Sequence, residues 1–183
     1  LSMIHGQDGQ KLSKRHGSIN VMQYKEDGYL PESLNNYLSR LGWSHGDNEK
    51  FSMDKFCEWF DFKHVTSSPA QFDKAKLDWL NGEYIKEYDI DKLTEMAIIK
   101  FKQVNYPVDD TKLIRNALGL YRDRETNLNQ LFENIVYFVK KPDFNNELEA
   151  KFINEESKKN IKALVESLQI HSWEEVEVNQ CIK

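Results

Sequence analysis

The residues with the clearest chemical potential lie near the start of the 183-residue chain, in a short basic segment. Residues 6–10 place two glycines around an aspartate, a pattern that predicts a turn leading into an exposed loop. The loop then carries Lys11, Ser13, Lys14 and Arg15. Lysine is a compact, mobile charge, whereas arginine can hold a phosphate or a carboxylate through two hydrogen bonds. The segment is therefore a candidate phosphate-binding loop, with ATP contact as its chemistry.

The Lys-x-Ser-Lys spacing is a weak signal by itself, because a solvated loop can carry basic residues without binding phosphate. The whole run from Gly9 to Gly17 reads Gly-Gln-Lys-Leu-Ser-Lys-Arg-His-Gly. It resembles the lysine–serine signature loop of class I aminoacyl-tRNA synthetases, in the form seen in glutamyl-tRNA synthetases. Residues 29–38, 41–47 and 72–81 are similar to the segments that follow this loop in that family. The resemblance is strong from residue 1 to about 85.

The resemblance continues more loosely to about residue 142, where Tyr121-Arg122-Asp123-Arg124 and the amphipathic helix after it are similar to the anticodon-binding region. It implies that Lys14 contacts ATP and that Lys11 and Ser13 complete the catalytic loop, with Arg15 as a further nucleotide-binding residue. The family activates glutamate with ATP and Mg²⁺ and transfers it to tRNA(Glu). These properties are implications of the resemblance alone.

The chain departs from the family pattern in one large respect. The second ATP motif of the family, of the His-Ile-Gly-His type, is absent from this sequence, and so is the glutamate pocket. We therefore expect the tRNA-binding portion of a glutamate-tRNA ligase, catalytically inactive and without bound cofactors by itself, whose partner is tRNA(Glu). Glutamate and ATP would bind through a missing catalytic domain, and the anticodon-binding domain would be incomplete at its C-terminal end.

Three arginines are candidate RNA contacts, although arginines on amphipathic helices are often simply solvated. They are Arg115, Arg122 and Arg124. Tryptophans could stack on unpaired bases, but a tryptophan on a helical stripe is typically core, so we interpret all four as structural: Trp43, Trp59, Trp79 and Trp173. The histidines at 16, 45 and 64 show no catalytic or metal spacing, and we expect no metal site.

Composition limits the remaining function classes. A content of 39% hydrophobic and 30% charged residues is typical of a folded protein of one or two small domains. The net charge of -5 argues against a general polyanion binder but not against a selective one. Cys57 and Cys181 share no motif with a histidine, so neither a zinc site nor a disulfide framework is predicted. With no signal-peptide pattern and no long apolar run, we expect a cytoplasmic monomer without membrane contact.

Apolar spacing predicts an all-α fold, because sustained β alternation is largely missing. The first predicted helix begins at Pro31. A second follows a cap at Ser52 and has Cys57 in the core, and a third begins at the Ser68-Pro69 pair. Two further helices are predicted to begin at Asp91 and after Thr126. The helix after Thr126 is expected to pack against a helix that carries Leu113, Ile114, Ala117, Leu118 and Tyr121. Further helices are predicted at 156–168 and, more weakly, from Trp173.

These elements suggest three regions: residues 1–18 as the end of a catalytic domain, 19–88 as a helical stem-contact domain, and 89–183 as a helical anticodon-binding bundle. Glutaminyl-tRNA synthetase is a related alternative, but its anticodon region resembles β-barrel proteins. The short glutamyl-queuosine-forming relatives lack an anticodon domain. An alternative from another class is a helical protein-interaction module without a nucleic-acid role, which the acidic balance favours.

Overall fold

The computed structural model describes residues 3–6, 8–11, 20–141 and 151–168. The predicted all-α class is confirmed in this part of the chain, where helices dominate and one two-stranded sheet accompanies them. The chain divides into two compact units, Leu1–Lys141 and Pro142–Lys183. Ser13, Lys14, Arg15, His16 and the predicted helix from Trp173 lie outside the described residues.

The small sheet ties the beginning of the chain to its middle. Strand β1 is Ile4–His5 and strand β2 is Ala70–Gln71, and they pair in parallel with Ile4 opposite Ala70. The amide of Phe72 extends this pairing by donating to the His5 carbonyl at 2.8 Å. Two residues per strand cannot form a stable sheet alone, so the helices around it must hold it in place.

Helices α1 and α2 follow. Helix α1 is Val21–Glu26, capped by the Asn20 side chain, and none of its residues is buried. Helix α2 is Pro31–Arg40, with proline in its first turn as the sequence predicts. Its Leu34 and Tyr37 are buried, whereas Leu38, which the same apolar spacing selected, is 42% exposed.

Helix α3, Met53–Trp59, is capped by Ser52 as predicted, and a 3₁₀ turn follows at Phe62–His64. The prediction that Cys57 lies in the core is wrong, because its side chain is exposed. The helix is short and contacts the body through Phe56 and Trp59, whose rings meet Trp43 at 5.1 Å and Phe51 at 6.2 Å. Cys57 lies beside this aromatic face and not on it.

Helix α4 is Lys74–Glu87, and its start differs from the prediction. Ser68 and Pro69 precede β2 instead, and the Asp73 carboxylate caps the helix by accepting from the Lys76 amide at 3.2 Å. Proline lacks an amide hydrogen, so it fits equally well ahead of a short edge strand.

The stripe on α4 is otherwise as predicted, since Leu77 and Leu80 are fully buried. The structural interpretation of Trp79 is wrong in one respect: its side chain is 46% exposed, while Trp43 is buried at 3%. Position 79 falls between the two buried leucine positions and faces outward, because neighbouring residues on a helix point 100° apart.

Three helices form the largest apolar core. They are α5, Ile90–Gln103, capped by Asp89 and so starting just before the predicted Asp91; α6, Thr111–Tyr121; and α7, Leu128–Val139, capped by Asn127. Their fully buried side chains include Leu93, Phe101, Ile114, Leu118, Leu131 and Ile135. Each such side chain contributes about 1.5–3 kcal/mol through burial. The predicted pairing of α6 with α7 is confirmed, although Leu113 is 37% exposed.

A polar hub joins α2, α4 and the turn before α7. Asn81, fully buried on α4, accepts from the Leu30 amide at 2.9 Å and from the Ser33 hydroxyl at 2.6 Å. Its side-chain amide donates to the Thr126 carbonyl at 2.7 Å. These bonds satisfy the buried amide and fix three chain segments at one point.

In the second unit, helix α8 is Glu155–Leu168, in agreement with the predicted helix there. The Asn154 side chain accepts from the Ser157 amide at 2.8 Å and so caps its start. Ile161 and Leu164, which the apolar spacing selected, are 52% and 42% exposed.

Candidate nucleic-acid interface

The three arginines selected from the sequence lie on α6 and on the 3₁₀ turn that follows it, Arg122–Arg124. Arg115 and Arg122 both reach the corner where α4 ends and α5 begins, whereas Arg124 lies over an aromatic ring. Their surroundings therefore differ, and each must be judged separately.

Arg115 is already paired. Its Nε atom donates to Asp91 Oδ1 at 2.7 Å, and the two side chains are 48% and 72% exposed. An exposed ion pair of this kind contributes only about 0.2–1 kcal/mol, since water screens both charges. A phosphate group could compete with Asp91 for this guanidinium, but the neighbouring carboxylate lowers the local positive potential.

Arg122 supports the fold at the α4–α5 corner. Its side chain is 31% exposed, and Nη1 donates to the backbone carbonyl of Tyr88, the C-terminal cap residue of α4, at 3.4 Å. A cation at a helix C-terminus also interacts favourably with the helix dipole. The position of Arg122 is therefore accounted for by packing and capping alone.

Arg124 lies in a different environment. Its guanidinium is exposed and lies 5.9 Å from the centre of the Tyr121 ring. The Tyr121 hydroxyl is hydrogen-bonded to the hydroxyl of Tyr137, whose ring is 51% exposed. Arg124, Tyr121 and Tyr137 are named here the arginine–tyrosine patch.

This patch combines the two groups that single-stranded RNA requires of a protein. Exposed aromatic rings stack on unpaired bases, and a guanidinium can hold a phosphate or stack on a base plane. A tyrosine hydroxyl is neutral at pH 7, and the hydrogen bond with Tyr121 raises the pKa of Tyr137 further. The patch therefore presents a neutral aromatic surface beside one positive charge.

The sequence alone does not identify Tyr137 as a candidate contact. The apolar stripe of α7 runs through Leu128, Leu131 and Ile135, and position 137 falls outside that spacing. A large aromatic residue off the buried stripe of a helix is itself a signal of surface function, although a weak one.

Lys11 is the one described member of the predicted ATP loop. It is exposed and pairs with His5 in an antiparallel bridge, across a turn in which the Gly6 amide donates to the Gln10 carbonyl at 2.8 Å. Gly9 has a φ of 73°, a conformation that favours glycine. The turn thus places the exposed Lys11 beside β1.

Among the described residues, no cluster of three or more histidine, cysteine, aspartate or glutamate side chains could hold a metal ion. None of the described helices has both the length and the apolar character that a membrane crossing needs.

Two family models match the chain, one after the other. Residues 1–79 match the model of the tRNA synthetases class I (E and Q), catalytic domain. Residues 82–183 match the anticodon binding domain. The second match covers the helices α5 to α7 and the arginine–tyrosine patch.

Curated relatives match along the whole chain. The glutamate–tRNA ligase of Methylobacillus flagellatus is 46% identical over 183 residues, which are 100% of this chain and 39% of the relative. That of Herminiimonas arsenicoxydans is 43% identical and covers 94% of this chain and 37% of the relative. The chain therefore spans about two fifths of the length of these relatives.

A solved structure has the same fold. The crystal structure of a glutamate tRNA ligase from Elizabethkingia meningosepticum, in complex with its amino acid, superposes with a TM-score of 0.82 at 25% identity, covering 100% of this chain and 40% of that one. The structure from Elizabethkingia anophelis gives a TM-score of 0.74 with the same coverage. With both family models in order along the sequence, the chain belongs to the glutamate–tRNA ligase family of class I aminoacyl-tRNA synthetases.

Proposed function

We propose that this chain is the tRNA-binding part of a glutamate–tRNA ligase, an enzyme that activates glutamate with ATP and transfers it to tRNA(Glu). The observation that carries the proposal is the arginine–tyrosine patch, which lies on a helical bundle matched by the anticodon-binding model. An exposed guanidinium beside two tyrosine rings can bind the phosphate of an unpaired nucleotide and stack on its base.

We further propose the division of labour expected from the sequence. Residues 1–18 supply the edge of the ATP site, residues 19–88 contact the tRNA stem, and residues 89–183 bind the anticodon. The polar hub at Asn81 supports a fixed arrangement of the second region against residues 89–141 of the third, since its bonds reach both Leu30 and Thr126. A rigid arrangement would let one tRNA molecule engage both regions at a constant separation.

For the ATP site, the proposal keeps Lys14 as the principal ATP contact, with Lys11, Ser13 and Arg15 completing the loop. The exposed position of Lys11 at the end of an ordered turn supports it. Mg²⁺ prefers carboxylate oxygens, water and substrate phosphates. The described residues contain no cluster of three or more carboxylate side chains that could hold the ion.

For tRNA, Arg124 is the strongest of the three proposed contacts, because no carboxylate is bonded to it in the described residues. Arg115 would act after release from Asp91, and Arg122 would act mainly by holding the corner on which the patch is built. We propose a monomeric cytoplasmic enzyme, in which each chain would bind one tRNA(Glu).

The first experiment measures binding of this chain to tRNA(Glu) at increasing salt. Release of counterions from phosphates predicts an affinity that falls steeply, with a log–log slope of about -0.9 for each phosphate contacted in a duplex and about -0.7 in a single strand. A helical protein-interaction module, the alternative that the net charge of -5 favours, would show no binding even at low salt. That result would remove the proposed function.

The second experiment addresses the ATP loop in the full-length enzyme. Lys14→Ala should slow formation of glutamyl-adenylate by about two to three orders of magnitude, because a positioned cation that stabilises developing charge contributes on this scale. Lys63→Ala removes the same charge from an exposed 3₁₀ turn outside the loop and should leave the rate unchanged. Equal rates for both variants would refute the ATP-loop assignment.

A further inference from the structure

Helix α1 is held to the rest of the protein by its last carbonyl groups and by one aromatic side chain. None of its residues is fully buried, and Tyr24 is the one that packs against the apolar core of α2 and α4. The Glu26 carbonyl accepts from the side-chain amide of Asn129 at 2.7 Å, and the Asp27 carbonyl accepts from that of Asn127 at 2.5 Å. The side chains of Asn127 and Asn129 with these two carbonyls are named here the asparagine clasp.

The next backbone group continues the same contact. The Gly28 carbonyl accepts from the Leu128 amide at 3.0 Å, so three successive carbonyls of the α1–α2 turn bond to the first turn of α7. These groups are about one hundred positions apart in the sequence, as the separations of 100 and 103 for the two asparagine bonds show.

Asn127 serves two segments at once. Its Oδ1 atom accepts from the Asn129 amide at 2.8 Å and so caps α7, while its Nδ2 atom donates to α1. The start of α7 and the end of α1 are therefore set by one side chain. Arg124 of the arginine–tyrosine patch lies three positions before this residue.

The Tyr24 side chain connects α1 to the neighbourhood of Lys11 through described residues. The Tyr24 ring lies 6.4 Å from that of Phe72, and the Phe72 amide donates to the His5 carbonyl at 2.8 Å. His5 in turn pairs with Lys11. A displacement of the first turn of α7 would thus be passed through α1 to β1 and its bridge partner Lys11.

We propose that Asn127 and Asn129 are positioning residues for glutamylation: the asparagine clasp keeps β1 and its bridge partner Lys11 at a fixed position relative to the surface that binds tRNA. This inference rests on the proposed function. Side-chain bonds at a half-exposed joint can be lost without opening the apolar core, so the clasp can affect catalysis separately from folding.

The test uses the full-length enzyme with Asn127→Asp and Asn129→Asp combined. Aspartate keeps the acceptor that caps α7, and acidic residues suit a helix N-terminus, so the double variant should fold. Both donors to α1 are lost. We expect the kcat of glutamylation to fall on the order of tenfold, the scale of coupling between two sites.

The control is Gln130→Glu combined with Asn134→Asp, which adds the same two charges to α7 without removing a clasp donor. The Kd for tRNA(Glu) should be the same in the two double variants, because their charge near the patch is matched. If the aspartate variant does not fold, Asn129→Ala replaces it in the test. This variant removes one exposed donor of the clasp, and its kcat should fall as well.

If the folded Asn127→Asp/Asn129→Asp variant has the same kcat as the charge-matched control, the positioning role is overturned while the proposed function is unaffected. A fall in kcat confined to the aspartate clasp variant, with Kd unchanged relative to the control, supports it. If the unsubstituted full-length enzyme does not glutamylate tRNA(Glu), the proposed function fails and the clasp inference fails with it.

Discussion

Gly28 lies directly against the side chain of Asn127. A Cβ atom at position 28 would stand 2.6 Å from Asn127 Oδ1 and 2.8 Å from the Asn129 amide nitrogen. The φ angle of Gly28 is 89°, in the region that residues with a Cβ rarely adopt. Both the backbone conformation and the space therefore require glycine where the α1–α2 turn meets α7.

Gly28→Ala should lower the free energy of unfolding by about 3 kcal/mol, from the unfavourable backbone conformation together with the steric overlap. Urea unfolding monitored by circular dichroism measures this. Gly46→Ala is the matched control, because Gly46 has a φ of 54° with no atom within 4 Å of the added Cβ. It should cost only about 1–2 kcal/mol. Equal losses for the two variants would contradict the close contact with Asn127.

Two helical glycines should respond in opposite directions to the same substitution. Gly119 is exposed on α6 with nothing within 4 Å of an added Cβ, so Gly119→Ala should stabilise the protein by about 0.5–1 kcal/mol through helix propensity. Gly82 lies on α4, where an added Cβ would stand 3.1 Å from Thr126 Cγ2 and 3.3 Å from Thr126 Cα. Gly82→Ala should therefore destabilise the protein. Thermal unfolding of both variants measures the sign of each change.

The hub residue Asn81 should be intolerant of apolar replacement. Asn81→Leu would leave the Leu30 amide and the Thr126 carbonyl without their buried partner, whereas the Ser33 hydroxyl could still donate to the Leu30 carbonyl. Each such loss costs about 1–3 kcal/mol, so we expect at least about 2 kcal/mol in total, measured by urea unfolding. Asn134→Leu, on an exposed position of α7 where the asparagine donates to the Glu125 side chain, should change stability by less than about 0.5 kcal/mol. A small effect at Asn81 would show that water replaces it.

The sequence predicts helices wherever one buried face repeats over several turns. Leu128, Leu131 and Ile135 of α7 are the clearest case, because each position faces the same core and local spacing records that fact. The family of the chain is equally readable, since the Gly9 to Gly17 run is local. The helices and the family can both be predicted because the residues that identify them lie close together in the sequence.

Orientation and long-range fit could not be predicted in the same way. Cys57 and Trp79 are apolar residues in helices, but which helix face is covered depends on partners elsewhere in the chain. The clasp pairs Asn127 with the backbone of Asp27, and no side-chain pattern marks a bare carbonyl as a partner. Tyr137 belongs to the candidate site because its hydroxyl is hydrogen-bonded to that of Tyr121, a contact that the sequence does not reveal.

The ion cluster around Glu49 predicts a defined pH response. Partial burial raises the pKa of Glu49, but hydrogen bonds from Lys76 and Arg40 outweigh it, and the net pKa is lower than usual. A lowered pKa means that the stabilisation is present above the pKa of the unfolded chain and is lost as the pH falls through that of the folded state. Glu49→Gln should thus be less stable than the parent at pH 7.

The difference should disappear in acid, where both proteins carry a neutral side chain at position 49. Because the Glu49 side chain is 37% exposed, solvent screening limits the effect at pH 7 to about 1 kcal/mol or less. Urea unfolding at pH 7 and at a pH below the folded pKa measures both terms. A difference that persists unchanged in acid would assign the effect to packing and not to charge.

The arginine–tyrosine patch gives the most direct prediction for RNA binding. Arg124→Ala should weaken binding of tRNA(Glu) about tenfold and reduce the salt dependence by about one phosphate contact, since its guanidinium has no carboxylate partner among the described contacts. Arg115→Ala should have a smaller effect, because the Asp91 carboxylate already offsets that charge. Tyr137→Ala removes a stacking surface without changing charge, so it should weaken binding by about 1–3 kcal/mol and leave the salt dependence unaltered.

These three variants separate charge from stacking when affinity is measured at several salt concentrations. If Arg124→Ala and Arg115→Ala weaken binding equally, the ion pair with Asp91 does not reduce the contribution of Arg115 to RNA binding. The RNA would then contact the surface of α6 as well as the patch. If Tyr137→Ala changes the salt dependence, its effect reaches RNA through a displaced Arg124 and not through stacking on a base. A loss of affinity at Arg124 and Tyr137 together, with almost no effect at Arg115, is the pattern that a single unpaired nucleotide bound at the patch requires, because Arg124 and Tyr137 both contact the Tyr121 ring.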